Sequence, residues 1–433
     1  MRKVFVSVLL MISACFSAQN IILKNVNIIP VNHDITIPGC NIFIRDGIIE
    51  KITPYPYVKE PGRRAKKKDS TVGYVTYDCN GGYVIPGLAD MHAHLPGKED
   101  PIKMQEYLKL CLAAGVTEVR SMRGERSHLA MRDSVKKNLK KNAPELYVSY
   151  VLPEKDSVLT TADAERIVNA AKNEGYDFLK YLGGLNRNSI RELVLASSGK
   201  LPIAGHAWEG NLTESYKLGF ASVEHYQPVL KEFRKGTVAF NSTLDTLKNR
   251  RTAICPTLSF YHIYSFTQST EELQKRNGMQ FVNEKVKKAW LKTYTEDLSA
   301  TKEQWKIDFE NKYVNASKKT LSDFNEALRD MANSSVCLLL SPDECIFNVP
   351  GFSMYEEMLL YKKAGLSNHQ ILKCATLNAA KCLGESSWGS VEVGKRANLV
   401  ILRGNPLEKI ENVKEIDAVI LHGKYWKPED LLK

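Results

Sequence analysis

Four of the nine histidines in this sequence stand at the ends of predicted β-strands, where imidazole side chains could bind a metal ion. His92 and His94 are two residues apart, so on an extended strand both side chains point to the same face. His206 and His225 each end a short apolar run. Imidazole is the commonest metal ligand in proteins and suits zinc, iron and nickel. One such histidine is more often a hydrogen-bonded core residue, but four together favour a metal centre.

Two further residues with ligand chemistry also stand at predicted strand ends. Asp343 follows the apolar run 338–340 and supplies a carboxylate. Lys180 lies near the end of the run 177–181, where a charged ammonium among cations would be repelled. A neutral lysine can instead react with carbon dioxide to form an anionic carbamate, which requires a lysine pKa lowered by burial and nearby cations. The alternative is an ordinary lysine that pairs with Asp177.

These residues are far apart in the chain and need a scaffold that brings strand ends together. Apolar strands alternate with helical stretches through the middle of the chain, as in parallel β/α units. The eight predicted strands are 83–85 (leading to His94), 116–120, 146–151, 177–181, 202–206, 222–225, 253–258 and 336–340. Eight strands close a (β/α)8 barrel, and its active-site residues lie at the C-terminal strand ends.

Two other parts of the chain fall outside a plain barrel. Residues 259–335 are too long for a simple connection and are predicted to form a helical insertion, either a lid or a surface excursion. Both ends of the chain are rich in short β-strands. We therefore expect one small sheet domain assembled from both termini.

The N-terminal residues have the order of a secretory signal peptide. Basic residues are followed by an apolar run and then by small residues, within residues 1–18. Cleavage after Ala18 would release an exported protein to the periplasm or the medium. A second ending competes, because residues 12–15 resemble a lipobox in which Cys15 would be lipidated and serve as a membrane anchor.

The composition excludes several classes of protein. Hydrophobic residues make up 43% and charged residues 25%, which is ordinary for a globular protein and excludes a disordered chain or a multi-span membrane protein. The net charge is +11, but the basic cluster 63–68 has no aromatic residue on which a base could stack. We therefore expect a small-molecule substrate and no nucleic acid. No CxxC pair is present, and Cys40 and Cys79 are the cysteines that could pair within one region.

Several motifs together resemble the metal-dependent amidohydrolase superfamily, in its imidazolonepropionase-like and prolidase-like branch. They are residues 84–94, 115–120, 177–180, 205–207, 223–225, 375–380 and 389–400. The resemblance extends over residues 20–425. It implies a distorted (β/α)8 TIM barrel formed by residues 89–385, together with a small composite β-sandwich formed by residues 20–88 and 386–433.

The resemblance also implies an activity and a role for each site residue. His92, His94 and Asp343 would bind one divalent metal ion, His206 and His225 the other, and carbamylated Lys180 would bridge them, with zinc the expected metal. Bound divalent metals lower the pKa of water and so supply a nucleophile at neutral pH. Asp343 would shuttle the proton to the departing amine. The implied reaction is hydrolysis of an amide or peptide-like C–N bond, in a dipeptide or an acyl amino acid.

Departures from the family pattern leave alternatives open. No histidine follows the third strand, so Tyr150 or the metal itself would polarise the carbonyl, and Tyr226 is a second predicted substrate contact. Glu344 stands where alanine is commoner, and Asn398 where aspartate is usual, a position we interpret as structural.

A second enzyme and a non-enzyme are the competing hypotheses. Residues 206–209 fit the HxxE pattern of mononuclear relatives, in which Glu209 would handle protons in a cyclic-amide hydrolase or deaminase. One metal would then suffice, and Lys180 would be an ordinary lysine. A non-catalytic binding protein on a degenerate barrel would usually lack a ligand, and none is missing here.

Overall fold

The structure is a computed structural model of the chain, and it describes residues 19–56, 73–97, 99–100, 102–137, 142–154 and 160–433. The predicted signal peptide with Cys15 and the basic cluster 63–68 lie outside the described residues. The strands are β1 (Asn20–Ile28), β2 (Ile37–Arg45), β3 (Ile48–Pro54), β4 (Tyr74–Pro86), β5 (Leu88–Ala93), β6 (Val116–Ser121), β7 (Glu145–Val151), β8 (Phe178–Tyr181), β9 (Ile203–His206), β10 (Ser222–Glu224), β11 (Ala253–Cys255), β12 (Leu399–Leu402), β13 (Ile416–Leu421) and β14 (Lys424–Trp426).

Helices fill the connections between these strands. They are α1 (Met104–Ala113), α2 (Arg126–Lys136), α3 (Thr161–Glu174), α4 (Arg187–Ser197), α5 (Leu212–Leu218), α6 (Gln227–Phe233), α7 (Thr237–Arg250), α8 (Leu258–Tyr264), α9 (Thr270–Gln274), α10 (Glu284–Gln304), α11 (Asn315–Asn333), α12 (Ser353–Lys363), α13 (Asn368–Cys374), α14 (Leu377–Cys382) and α15 (Pro428–Leu431). Among the described residues, no helix combines the length and the apolar character needed to cross a membrane.

Strands β5 to β11 form one parallel sheet in which each strand pairs with the next along the chain. The segment 336–340 fills the gap between β11 and β5. Leu338 forms a parallel bridge with Ile254, and the backbone N–H of Met91 donates to the carbonyl of Leu340 at 3.3 Å. The sheet is therefore a nearly closed barrel, which confirms the α/β barrel predicted from the sequence.

The structure corrects the predicted strand list at both ends of the barrel. Residues 83–85 belong to β4 in the other sheet, and β5 is the first barrel strand. Gly87 lies between β4 and β5. A larger residue would not fit there, because a Cβ at this position would lie 1.8 Å from the Thr117 hydroxyl oxygen. The segment 336–340 forms a single bridge and not a full strand. Ser335 and Asp343 both have a φ of 61°, so the chain turns at each side of this segment.

The chain ends expected to form a composite β-sandwich build one seven-stranded sheet. Its strand order is β14-β13-β12-β4-β1-β2-β3, mostly antiparallel, with β1 and β4 parallel. Asn398 joins this sheet to the barrel, because its side-chain amide donates to Glu118 in β6 at 2.6 Å. The structural interpretation of Asn398 agrees with this contact. Cys40 and Cys79 both lie in this sheet as free thiols.

The long connection 259–335 is helical. It contains most of α8 and all of α9, α10 and α11. Helix α8 begins where the sequence predicted that a strand would still continue, because β11 ends at Cys255 and Thr257 has a φ of 55°. The longest helix, α10, buries the side chains of Trp290 and Tyr294.

Candidate metal centre

The C-terminal strand ends bring the four predicted histidines together. His92 lies in β5, His94 directly follows it, His206 ends β9, and His225 directly follows β10. The ring centroids of His92 and His94 are 5.6 Å apart, those of His92 and His225 are 4.9 Å apart, and those of His206 and His225 are 5.0 Å apart. The four imidazoles therefore form one continuous cluster at the barrel mouth.

Asp343 lies among these imidazoles. Its Oδ1 is 3.7 Å from Nε2 of His92 and 3.6 Å from Nε2 of His94, and its Oδ2 is 3.7 Å from Nδ1 of His225. Ligand atoms of His92, His94 and Asp343 all lie within 4.8 Å of one another, close enough to share one metal ion. Burial raises the pKa of the Asp343 carboxyl to about 6.

Lys180 is the buried cation of the cluster. Its side chain in β8 is 1% exposed, and its Nζ has no hydrogen-bond partner among the described residues. Burial lowers the lysine pKa to about 8. An unpartnered ammonium in such a place is costly, whereas a neutral amine avoids that cost, and a carbamate formed from it would supply oxygen ligands to metal ions. The donor set therefore fits divalent metal ions.

A buried ion pair fixes the orientation of His92. Its Nδ1 lies 2.8 Å from Oε2 of Glu224, and the other carboxylate oxygen of Glu224 accepts from Arg120 Nη2 at 2.9 Å and from the Ser222 hydroxyl at 2.6 Å. Because Glu224 accepts at Nδ1, Nε2 of His92 is left unprotonated and faces Asp343. Burial also lowers the pKa of His92 well below its usual value, so the ring stays neutral and able to bind a metal.

The sequence analysis missed Glu224 and Arg120. The sequence did contain a signal, because both are charged residues in short predicted strands with apolar neighbours. The structure buries both strands along their whole length. Buried charges of this kind need specific partners.

Two of the other three imidazoles, those of His206 and His225, are oriented by neighbours in the same way. Nδ1 of His206 lies 2.6 Å from the carbonyl of Leu182, and Nδ1 of His225 lies 2.8 Å from the hydroxyl of Thr257. Burial lowers the pKa of both imidazoles, to about 3 for His225. His225 and Thr257 have φ values of 72° and 55°, which are uncommon outside glycine and cost about 1–3 kcal/mol each. Such strained residues concentrate at functional sites.

The remaining predicted site residues lie at the edge of the cluster or away from it. Glu209 is exposed, with a φ of 49°, in the turn after β9. The Tyr150 ring packs against Tyr176 at 5.3 Å, and the Tyr226 ring packs against Tyr261 at 4.4 Å. Both rings pack against other aromatic side chains, and the role of Tyr150 and Tyr226 as substrate contacts stays a prediction.

Glu344 is a rim residue that the sequence analysis noted only as a departure from the family pattern. Its Oε2 lies 3.1 Å from Nδ1 of His94, and its side chain is 54% exposed. A carboxylate at this place leaves Nε2 of His94 for a metal ion, as Glu224 does for His92.

Two cavities adjoin the cluster. The smaller, of about 290 Å³, starts at His94 and Asp343 and is lined mainly by apolar side chains, among them Ile102, Tyr107 and Trp290, together with the carboxylates of Asp90, Asp100 and Glu344. The larger, of about 550 Å³, starts at His206 and His225 and is lined by Glu209, Gly183, Gly184 and other residues of the loops after β8 and β9. A substrate bound across the cluster would place one part in each cavity.

The sequence matches the model of the Amidohydrolase family over residues 83–425. No curated protein matches the chain in sequence at a significant level.

Solved structures share its fold at low sequence identity. A bottromycin amidohydrolase superposes with a TM-score of 0.70 at 21% identity, covering 95% of this chain and 88% of its own. A Xaa-Pro dipeptidase with bound methionine has a TM-score of 0.65 at 18% identity, covering 94% and 100%. The ochratoxinase of A. niger has a TM-score of 0.67 at 15% identity, covering 95% and 96%. At these identities the likeness shows the fold alone.

Proposed function

The chain belongs to the Amidohydrolase family and is a hydrolase of carbon–nitrogen bonds, and we propose that it cleaves amide or peptide-like bonds with two divalent metal ions. The observation that carries this proposal is the buried, unpartnered Nζ of Lys180 in a barrel mouth that also holds four imidazoles and Asp343. A single metal ion bound by His92, His94 and Asp343 would leave this nitrogen unexplained. A bridging carbamate would explain it.

The residues divide into two ligand sets around Lys180. His92, His94 and Asp343 would hold one ion, His206 and His225 the other, and carbamylated Lys180 both. When bound, such ions supply a water molecule of lowered pKa and a positive charge that polarises the scissile carbonyl. Zinc suits this mixture of imidazole and carboxylate ligands, as do other divalent metals.

Asp343 is the residue placed to move protons. Its carboxylate is buried among the imidazoles and opens to the smaller cavity. A carboxyl whose pKa is raised to about 6 by burial can accept and release a proton near neutral pH. We infer that Asp343 takes a proton from the attacking water and delivers it to the nitrogen of the departing amine.

The proton transfer proposed for Asp343 determines which side of the substrate lies in which cavity. Because the departing nitrogen must reach Asp343, the amine side of the substrate lies in the smaller, apolar cavity, and the acyl side lies in the larger one. The names of two structural neighbours, a Xaa-Pro dipeptidase and a bottromycin amidohydrolase, support amide substrates. We therefore propose dipeptides or acyl amino acids whose amine side is compact and apolar.

Trp290 tests the orientation of the substrate, because α10 places it in the wall of the smaller cavity. Trp290→Ala should change the kcat/KM ratio between a large and a small apolar amine side about tenfold, in favour of the large one. Trp305→Ala is the matched control, since this tryptophan of the same insertion is 40% exposed and does not line that cavity. An unchanged ratio in Trp290→Ala would place the amine side elsewhere.

A second candidate function is kept because Glu209 lines the larger cavity in a strained backbone conformation. In a mononuclear hydrolase of a cyclic amide, or in a deaminase, Glu209 would move protons at a ring substrate. Glu209→Gln would then abolish turnover, whereas the binuclear proposal expects this exposed carboxylate to be dispensable for the proton transfer by Asp343.

The activity itself is tested with the metal-loaded protein against dipeptides, acyl amino acids and lactams. The proposal expects hydrolysis of the first two groups. Hydrolysis of lactams alone would favour the mononuclear candidate. Inactivity across the whole panel would instead favour a non-catalytic binding protein.

We also propose that the protein is exported through residues 1–18. Intact-mass measurement of the protein from its native host distinguishes the two endings. A mature chain that begins at Gln19 supports soluble export, and a lipidated chain that begins at Cys15 supports a membrane anchor. A full-length chain that begins at Met1 would contradict export.

A further inference from the structure

A group of buried polar side chains connects the helical insertion to the loop that carries Asp343. We name Arg276, Ser259 and Asn348 the Arg276 network. Nη2 of Arg276 donates to the Ser259 hydroxyl at 2.6 Å and to Oδ1 of Asn348 at 2.8 Å, and Ser259 donates to the same Oδ1 at 2.8 Å. All three side chains are less than 10% exposed. The network therefore forms a closed set of contacts away from solvent.

Asn348 connects the Arg276 network to the backbone around Asp343. Its Nδ2 donates to the carbonyl of Pro342 at 2.8 Å and to the carbonyl of Asp343 at 3.0 Å. Asp343 has a φ of 61°, a conformation that a non-glycine residue keeps only when its surroundings impose it. One amide group thus holds both peptide units whose angle aims the Asp343 carboxylate at the imidazoles.

The same network reaches the opposite side of the cluster through the start of α8. The Glu357 carboxylate accepts from the backbone N–H groups of Leu258 and Ser259 at 2.8 and 2.7 Å. This fixes the first turn of α8 directly after Thr257, whose hydroxyl contacts His225. Asp343 and His225 are therefore held by neighbouring parts of one buried structure.

The free-energy cost of burying the charge of Arg276 indicates that this residue does more than fill space. The hydrogen bonds of its guanidinium go to neutral oxygens, of Ser259, Asn348 and the carbonyl of Phe347 at 3.2 Å. Burying a charge is expensive when its direct partners are neutral. The nearby carboxylates of Glu356 and Glu357 offset part of this cost, and the directed hydrogen bonds of the guanidinium orient Ser259 and Asn348.

We propose that Arg276 and Asn348 are positioning residues for catalysis: the insertion supplies Arg276, Arg276 orients the Asn348 amide, and that amide holds Asp343. The insertion is then a working part of the metal centre as well as a wall of the substrate cavity. This inference rests on the proposed function, because it assigns a consequence to the position of Asp343.

Asn348→Asp tests the central contact. The substitution preserves the size of the side chain and the acceptor for Arg276, but it removes the N–H groups that bind the carbonyls of Pro342 and Asp343. We expect kcat to fall about 10- to 100-fold with little change in KM, and the affinity for zinc to fall by a similar factor in competition with a chelator. Asn348→Ala should lose kcat and zinc affinity in the same way.

Arg276 is tested by two replacements of different severity. Arg276→Met removes the guanidinium, and we expect the same loss of kcat in a smaller degree. Arg276→Lys retains a donor for Asn348 and should recover part of that loss, which a purely structural role would not require. If Arg276→Met does not fold, the comparison of Arg276→Lys with Asn348→Asp still decides the matter.

Asn277→Ala is the matched control. Asn277 follows Arg276 in the chain and anchors the same segment through Glu356 at 2.6 Å, and among the described residues its side-chain hydrogen bond goes to Glu356 and not to the loop that carries Asp343. At a comparable loss of thermal stability, Asn277→Ala should retain wild-type kcat and zinc affinity. Equal losses in Asn277→Ala and Asn348→Asp would overturn the inference, and so would wild-type kcat and zinc affinity in Asn348→Asp.

The zinc measurement separates this inference from the proposed function. If the wild-type protein binds zinc but hydrolyses no member of the amide panel, the proposed function fails, and weakened zinc binding in Asn348→Asp still supports the positioning role. If amides are hydrolysed equally well by both proteins, the function stands and the positioning role fails.

Discussion

The floor and the rim of the candidate metal centre differ in how firmly the protein fixes their charges. The floor comprises His92, Lys180, Glu224 and Arg120, all at most 2% exposed. The rim comprises His94, Glu209 and Glu344, of which His94 is 24% and Glu344 54% exposed. In the floor the charge states are set by burial and by buried neighbours, whereas the rim side chains are in contact with water. The floor therefore sets the chemistry of the centre, and the rim with its two cavities selects the substrate.

The most severe test of this division is Asp343→Asn, since Asp343 lies between floor and rim. The amide preserves the size of the side chain but cannot accept a proton, so turnover should fall at least about 1,000-fold. Substantial metal should remain bound, because the amide still offers an oxygen at the ligand position, whereas His92→Ala removes its ligand atom. Kinetics and elemental analysis of the same sample measure both quantities. Full activity would remove Asp343 from its role.

His92→Ala tests the floor itself. Loss of this imidazole should remove metal and activity together, because Nε2 of His92 faces Asp343 and no other described group replaces it. His262→Ala is the control, since His262 lies in α8 within the insertion and outside the cluster, and it should change little. Metal content and turnover that respond alike in the two variants would refute the special place of His92.

Glu224→Gln tests whether the floor needs the negative charge of Glu224. The substitution removes the negative charge that holds Nδ1 of His92 and pairs with Arg120, so zinc affinity should fall about 10- to 100-fold. Glu232→Gln is the matched control, since Glu232 on α6 is also buried but pairs with Lys235, away from the cluster. Chelator competition gives both affinities. Equal affinities would show that the floor needs no anion beneath His92.

A prediction of smaller size concerns stability without metal. Burial lowers the pKa of Lys180 from 10.5 to about 8, so folding disfavours its charged form. The resulting loss of stability is complete below pH 8 and disappears as the pH rises to 10.5. Lys180→Met should therefore stabilise the metal-free protein at pH 7 by up to about 3 kcal/mol, and the advantage should vanish near pH 10.5. Thermal unfolding across this pH range checks the sign, and a gain that is constant with pH would contradict it.

The positions of the candidate ligands could be predicted from the sequence because they follow from strand geometry. Alternation along a strand places His92 and His94 on one side, and a parallel barrel gathers strand ends at one mouth. The same reasoning located Lys180, His206, His225 and Asp343. The helical insertion 259–335 was predicted from its length and composition.

The partners that hold these ligands could not be predicted in the same way. Arg120 and Glu224 stand in different strands, and only the barrel register brings them within hydrogen-bond distance. The loop at Asp343 depends on Asn348 and on Arg276, which is 67 residues earlier in the chain. Tyr150 was predicted as a substitute for a missing histidine and Tyr226 from its place after His225, and whether they contact a substrate depends on packing at the barrel mouth that sequence patterns do not encode.

The number of metal ions in the wild-type protein and in Lys180→Ala tests the central claim most directly. Elemental analysis of both purified proteins should find two divalent ions per wild-type chain and the loss of both in the variant, because the buried lysine nitrogen joins the two ligand sets. A single ion per chain, present equally in both proteins, would contradict the binuclear centre and leave Glu209 as the proton-transferring residue of a mononuclear enzyme.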